Sequence, residues 1–565
     1  MRTQHRFTLI AVLFLTAVVF APFVADYFWL DDVAWITGAE QAPSLVQWTI
    51  IPSDTFPYRP LTAGAFALLG QACGCTPWPY RALGLGLHLV NVALAYALAR
   101  RLTGDDRAAL AGAALWAVYP VHRWAVLWIA DLAGVAGGTF ALVCLLAYAR
   151  YRVDRAGRRW LILALACFAL AVLAKETYLA VAFIVLLWYL SINRQFARRA
   201  ANVILSRAQR SLRSEAKDLR HHIATVPQLP VGDPSPSPRK PRSAAAQDDT
   251  SGLPGAPQPL PSAEIAFLLL ALLLALPIVY TYIIRPGESG LDLVSARYPA
   301  NLARAMLFLL LPVIDPNAIN RFGDSLRENL TVILLAAPTA LVWLALLWRA
   351  RSRRAWLLSL WAPVLLMPVL VTPFLLLPFK GRFLYLPALG FCLLLGLLWS
   401  RADDALRRSA RGGLLRYAPA AALVLLVAGL GLFNMQQQWW VRNPERPAQL
   451  LYRYVWGGLL GCPFTPADIR AEVAREGVAD LQGAVDAPLH EPEHRYYLTS
   501  VAVRALAREL TGDTAGAQAD ALAARALALR GDFDARDQES FYLIPQARVL
   551  AYLDAQLARL NAKEP

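Results

Sequence analysis

Apolar positions in this chain fall in long unbroken runs rather than in an alternating pattern. "FTLIAVLFLTAVVFAPFVA" (7–25) and "WLLSLWAPVLLMPVLVTPFLLL" (356–377) are each long enough to cross a bilayer as a helix. Further runs of the same kind predict eleven spans, at roughly 7–25, 80–99, 108–121, 129–149, 160–174, 177–192, 263–284, 329–348, 356–377, 383–400 and 417–435. Arg2 and Arg6 precede the first run, but no A-x-A cleavage site closes it and many spans follow, so it reads as a retained helix. "NLARAMLFLLLPV" (301–313) is apolar but short, and it reads as a re-entrant or interfacial helix within a loop over 285–328.

Composition agrees with this pattern. The 565 residues are 57% hydrophobic with a mean hydropathy of +0.42, too apolar for a soluble chain of this length. The net charge of +15 acquires a meaning once the spans are drawn. Arg100, Arg101 and Arg107, the cluster Arg150–Arg159, the loop 193–262, Arg349–Arg354 and Arg401–Arg416 all fall on the side of Arg2 and Arg6. The positive-inside bias makes that side cytoplasmic, so the excess charge reads as topology and not as a nucleic-acid surface. Loop 193–262 opens as a basic helix suited to anionic lipid and continues as a Pro/Ser/Gly-rich segment predicted to be disordered. His221 and His222 lie there without further metal ligands around them. The tail, 436–565, is predicted to be an outer, soluble helical domain. It contains a degenerate tetratricopeptide-type hairpin that needs neighbours to cover its apolar face. Of six cysteines, Cys144, Cys167 and Cys392 fall in spans, while Cys73 or Cys75 is a candidate to bridge to Cys462.

The same topology gathers unusual polar residues on the outer face. Loop 26–57 carries Asp26, Asp31, Asp32, Glu40 and Asp54 and no Lys or Arg. Arg59 follows; His122 and Arg123 sit in the turn after the third span; Lys175 and Glu176 lie between the fifth and sixth; Lys380, Arg382 and Tyr385 precede the tenth. Ionisable groups at a membrane boundary mark pairing or function. A lipid phosphate calls for Arg or Lys at that depth, and an acceptor hydroxyl calls for a carboxylate to take its proton. Each residue also has a structural reading: Arg382 or Lys380 snorkelling to the interface, Lys175 and Glu176 pairing with other span-end charges, His122 satisfied in its turn, Asp31–Asp32 capping a short helix, Arg59 fixing a turn before Pro60.

The blocks "DYFWLDDVAWI", "YRPLTAGAFAL", "ALWAVYPVHRWAVLWIADLAG", "LAKETYLAV" and "GRFLYLPALGFCLLL" occur in an order that resembles GT-C type membrane glycosyltransferases. The resemblance is nearest to TMTC-type O-mannosyltransferases and their bacterial relatives with tetratricopeptide tails, and covers roughly residues 10–435. It implies an all-α, polytopic fold: a transmembrane domain, 1–435, with an outer catalytic loop at 26–59, followed by the helical domain 436–565. It implies inverting transfer of a sugar from a polyprenyl-phosphate donor on the periplasmic face of a bacterial inner membrane. An acidic residue of the first outer loop, Asp31 or Asp32, would act as base or metal ligand. Arg59, His122, Lys175, Glu176, Arg382 and Tyr385 would hold the donor. A divalent metal ion is a candidate cofactor; the implied partners are the sugar lipid, the membrane and an acceptor protein, glycan or lipid. This chain departs from the family where Tyr119 replaces the first His of "HPVH", where no Arg precedes Asp131, and where "KEQG" reads "KETY". A non-catalytic scaffold and a lipid-carrier transporter are the competing readings. A transporter would place its ionisable groups at mid-span.

Overall fold

The computed structural model describes residues 3–24, 28, 32–33, 35–36, 38, 44–52, 57–192, 262–284, isolated positions between 302 and 344, 352–371, 381–409, 414–442, most of 451–475, 481–486, 497–530 and 546–562. Every regular element among them is helical, and no strand occurs. Asp31, Lys380, His221, His222, the loop 193–261 and nearly all of the predicted segments 285–328 and 329–348 lie outside the described residues. The chain divides into two compact units, 1–185 with 266–565 and 186–265.

The helices are α1 Thr3–Phe20, α2 Leu45–Thr49, α3 Pro60–Cys73, α4 Trp78–Thr103, α5 Asp106–Ala117, α6 His122–Leu127, α7 Leu132–Arg152, α8 Arg159–Ala174, α9 Val181–Ile192, α10 Ser262–Ile284, α11 Arg353–Val371, α12 Pro387–Ser409 and α13 Ala418–Arg442. The tail adds α14 Pro466–Arg475, α15 Gln482–Val485, α16 Tyr497–Thr511, α17 Thr514–Arg530 and α18 Gln546–Asn561. Five apolar stretches among the described residues are long enough to cross a bilayer: His5–Phe23, Trp78–Thr103, Ile129–Arg152, Ser262–Tyr280 and Ala418–Gln437. The predicted outer segment at 60–79 is not irregular. Pro60 occupies the first turn of α3, where its missing N–H costs nothing and its fixed φ suits a helix.

Local chemistry sets the element ends. The Asp105 carboxylate accepts the Arg107 N–H at 2.8 Å and caps α5. Gly104, at φ 67°, closes α4 in the left-handed region. The bundle then assembles by close approach: α5 packs on α4 and α12, α4 on α7, α7 on α8, α11 on α12, and α1 on α4, α5 and α13. α5 is almost entirely Ala, Gly and Leu, and a Cβ at Gly112 would sit 2.8 Å from the Leu393 Cα of α12. Small residues let two backbones approach where lipid gives no hydrophobic drive between helices.

The tail shares a core with the loop that follows α1. Phe28, Val33, Trp35, Phe66 and Tyr80 form one buried cluster with Leu451, Tyr454, Leu498, Val501, Leu506 and Leu553. Burying an aliphatic or aromatic side chain of this kind contributes roughly 1.5–3 kcal/mol. A Cys75–Cys462 disulfide, with 5.6 Å between Cα atoms, fastens the same junction, so Cys75 and not Cys73 is the bridging partner. The hairpin of α16 and α17 thus finds its neighbours in α18 and this shared core.

Candidate functional site

The site grows from the point where α8 stops. Lys175 has extended backbone (φ −155°, ψ 124°), which breaks the helix before a 3-10 turn, Glu176–Ala180. The Thr62 hydroxyl of α3 donates to the Ala174 carbonyl at 2.8 Å, satisfying one of the last α8 acceptors. The break turns two consecutive side chains to different partners. Glu176 receives Nε and Nη2 of Arg59 at 2.7 Å each, a bidentate pair. Burial by itself would push the Glu176 carboxyl up, but Arg59 outweighs it and holds the carboxyl at about 2. Lys175, 3% exposed, pairs through Nζ with Oδ1 of Asp131, also 3% exposed. Burial draws the Lys175 ammonium below its usual range, and Asp131 opposes that pull.

Asp131 is the acidic residue that the sequence reading passed over. It ends a 3-10 turn, Ile129–Asp131, just before α7, and its Oδ2 is buried without a hydrogen-bond partner. Asp32 lies one peptide away: fully buried, it accepts the Ala130 N–H through Oδ1 at 2.7 Å. The expected carboxylate of the first loop therefore reaches the α7 end of the site, though as a group holding backbone and not as one open to a cleft.

Arg382 stands on the 3-10 turn Gly381–Leu384. Its guanidinium carbon lies 4.2 Å from the Trp128 ring centroid and 5.5 Å from that of Phe383, and the Lys175 ammonium lies 5.4 Å from the same Phe383 ring. Among the described residues Arg382 has no carboxylate partner, and its Nε makes no hydrogen bond. A small cleft runs between Lys175, Thr177, Tyr178, Arg382, Phe383 and Tyr385. It has a cation at its edge whose charge no carboxylate among the described residues takes up, which is what an anionic ligand needs.

Tyr385 lines that cleft with its ring, not its hydroxyl. Asn91 Nδ2 donates to the hydroxyl at 3.0 Å. The hydroxyl donates to His88 Nδ1 at 2.8 Å, and His88 Nε2 donates to the Ala117 carbonyl at 3.0 Å. In this chain of bonds the phenolic proton is already committed. Gly138 admits the ring; a Cβ there would meet Tyr385 Cε1 at 2.9 Å. His122 lies behind it, fully buried, with its ring 4.9 Å from those of Trp116 and Tyr385. Burial pulls the imidazole well below its usual range, so His122 is neutral and is not among the cleft-lining residues. Of the sequence candidates, Lys175, Arg382 and Tyr385 meet in the cleft; Glu176 and Arg59 brace it as a closed pair; Asp32 and His122 sit behind its wall. The described residues hold no group of three His, Cys, Asp or Glu that could bind a metal ion, so they do not by themselves assemble a site for the candidate divalent cation.

Parts of the chain are similar to known proteins. The family described as dolichyl-phosphate-mannose-protein mannosyltransferase matches residues 59–206. Over 122 residues the chain is 38% identical to the protein O-mannosyl-transferase Tmtc1 of Drosophila melanogaster, covering 21% of this chain and 14% of the relative. Over 369 residues it is 24% identical to the protein O-mannosyl-transferase TMTC3 of Mus musculus, covering 61% of this chain and 36% of the relative. The chain therefore spans well under two thirds of these relatives' lengths. Among solved structures, the archaeal oligosaccharyltransferase AglB of Archaeoglobus fulgidus, in complex with an inhibitory peptide and a dolichol-phosphate, aligns with a TM-score of 0.41 and 15% identity. That alignment covers 87% of this chain and 61% of that one. Over part of its length the chain is thus similar to protein O-mannosyl-transferases.

Proposed function

We propose that this protein transfers a sugar from a polyprenyl-phosphate-linked donor to an acceptor hydroxyl at the outer, periplasmic face of a bacterial inner membrane, with inversion at the anomeric carbon. The acceptor oxygen forms the new bond to that carbon as the bond to the phosphate oxygen breaks. The acceptor proton passes to a carboxylate, for which Asp32 is the candidate from the sequence and Asp131, which contacts the cleft-lining Lys175, the candidate from the geometry, and the polyprenyl phosphate leaves with the electron pair. Charge grows on the leaving phosphate, so a preorganised cation beside it lowers the barrier. Arg382 is that cation in this reading. It is held over two aromatic rings, and Lys175 stands on the other side of Phe383.

The observation that carries the reading is Arg382: a guanidinium without a carboxylate partner among the described residues, at a cleft in a chain related to mannosyltransferases. The Cys75–Cys462 disulfide supports the choice of face, since such bonds persist in oxidising compartments and this one joins the first outer segment to the tail. Relatives named as protein O-mannosyl-transferases favour a protein acceptor.

The test is release of polyprenyl phosphate from a radiolabelled polyprenyl-phosphate hexose by the protein in nanodiscs, wild type against Arg382→Gln. Release slowed by roughly 10- to 100-fold, with thermal stability lowered by no more than about 1 kcal/mol, is the expected result. Equal release by the two proteins would remove Arg382 from the donor site. No release by the wild type with any hexose donor would favour a non-catalytic scaffold.

A further inference from the structure

The loop 26–57 carries five acidic residues and no Lys or Arg. Its described middle part has a different character. Residues 44–52, "SLVQWTIIP", contain no charge. Leu45, Val46, Ile50 and Ile51 are exposed by 56%, 57%, 58% and 54%. Isolated exposed leucines are ordinary, but four β-branched or leucine side chains within seven residues form a patch.

The polar groups of the segment are meanwhile turned inward or used up. The Ser44 hydroxyl accepts the Gln47 N–H at 3.1 Å. The Thr49 hydroxyl donates back to the Leu45 carbonyl at 2.7 Å. The Trp48 indole N–H donates to the Ala63 carbonyl at 2.9 Å, and its ring meets Trp35 at 6.0 Å. These contacts fix one side of α2 to α3, with Thr49 Cγ2 against Gly64. What faces outward is apolar, apart from Ser44 and Gln47. Water exposes such a surface at a cost, whereas a bilayer interface demands internal satisfaction of polar groups of this kind.

We infer that Leu45–Ile51 is a lipid-contacting surface, lying in the interfacial region of the outer leaflet and mooring the first outer loop to the bilayer. The occupant follows from continuity. α3, on which the segment is pinned, exposes Leu68 by 65%, and the next helix, α4, opens on Trp78, 55% exposed, at the end of a membrane-length stretch. An interfacial tryptophan at a span end marks headgroup level. The loop therefore carries acidic residues on either side, Glu40 and Asp54, and an uncharged apolar tether between them. This inference is independent of the proposed reaction.

Nitroxide scanning tests it. In a background with Cys73, Cys144, Cys167 and Cys392 changed to alanine, spin labels at Val46→Cys and Ile50→Cys are read in nanodiscs for collision with oxygen, which prefers lipid, and with a water-soluble nickel chelate. Phe14→Cys on α1, 71% exposed there, gives the lipid reference, and Ala519→Cys in the tail the aqueous one. Both loop sites should show the oxygen-over-nickel preference of Phe14, roughly tenfold above the Ala519 ratio, in line with the apolar transfer each side chain gains. Ratios equal to those at Ala519 would overturn the inference. So would shielding from both reagents, which would mean that a protein surface covers the patch. Val46 and Ile50 are exposed in different turns, so either label alone can decide the outcome if the other perturbs the fold.

Discussion

Two ends of the same helices carry dense charge, and they use it differently. At one end, where α4 stops, α5 starts and α12 finishes, Arg100 pairs with Asp106, Arg101 with Asp154, and Arg107 with Asp403 and Asp404. Most of these side chains are a quarter to a half exposed, and each described cation just named has a carboxylate. At the other end, Lys175 and Asp131 are buried, Arg59 and Glu176 nearly so, and Arg382 has no carboxylate partner among the described residues. Exposed pairs contribute little and are screened by salt. Buried pairs carry a desolvation cost and repay it only through geometry. The first end therefore fits a role in topology and modest stability. The second is expensive to build, and the residue without a carboxylate is where a ligand's charge fits.

The largest expected effect is at the carboxylate proposed as base. Asp32→Asn retains an acceptor for the Ala130 N–H, so the protein should fold, yet transfer should fall by roughly 10²–10⁴-fold, the usual worth of general base catalysis. Asp131→Asn, measured beside it in the same donor-release assay, sharpens the assignment. If Asp131→Asn loses transfer and Asp32→Asn does not, the base belongs to the residue at the α7 end. If neither changes turnover, the base reading fails at both.

Lys175→Met should register first as stability. It strips the partner from a carboxylate that is 3% exposed, and removing one member of a buried pair costs about 3–5 kcal/mol. Thermal unfolding in detergent or nanodiscs measures it. The double variant Lys175→Met/Asp131→Leu should recover much of the loss, because no charge is then left buried. A double variant as unstable as the single one would show that packing, not charge, sets the cost.

Arg382→Gln should show the reverse signature. The lost charge-assisted contact to a phosphate is worth about 1.5–3 kcal/mol, or roughly 10- to 100-fold in transfer. Its stability cost is confined to the aromatic contacts with Trp128 and Phe383, about 0.5–1 kcal/mol. Donor-release rates and thermal midpoints of the same preparations separate the two effects.

The sequence made some of this contrast legible and hid the rest for identifiable reasons. Helix-length apolar runs and span-end Arg and Lys residues need only local pattern, so α1, α4, α7, α10 and α13 coincide with predicted spans. α3 was not predicted because its 14 residues fall short of a bilayer-crossing helix. Asp131 was missed because it sits at the end of an apolar run. Only its contact with Lys175, 44 residues away, gives it a role. The choice between Cys73 and Cys75 rests on which side of Gly74 faces the tail, and no spacing rule encodes that. Tyr385 was expected among the residues that hold the donor; the two helix-borne partners of its hydroxyl, His88 and Asn91, lie nearly 300 positions earlier in the chain.

The smallest effect belongs to the other end, and it is the one that can break the comparison. Arg107 bridges Asp403, which is fully buried, at 3.0 Å and Asp404, which is 40% exposed, at 2.5 Å; its own side chain is 39% exposed. Arg107→Gln does not strand Asp403, because Arg407, one turn along α12, still holds the same carboxylate at 2.8 Å. The cost should therefore be that of a partly exposed pair, about 1 kcal/mol or less, shrinking further in high salt, with donor release unchanged. Arg407→Gln alone should behave alike. The double variant should not be their sum: with both arginines gone a buried carboxylate stands uncompensated, and the loss should approach the roughly 3–5 kcal/mol expected at Asp131. If Arg107→Gln by itself halts donor release at unchanged stability, charge at the two ends is coupled through the helices, and the division into a structural end and a ligand-binding end does not stand.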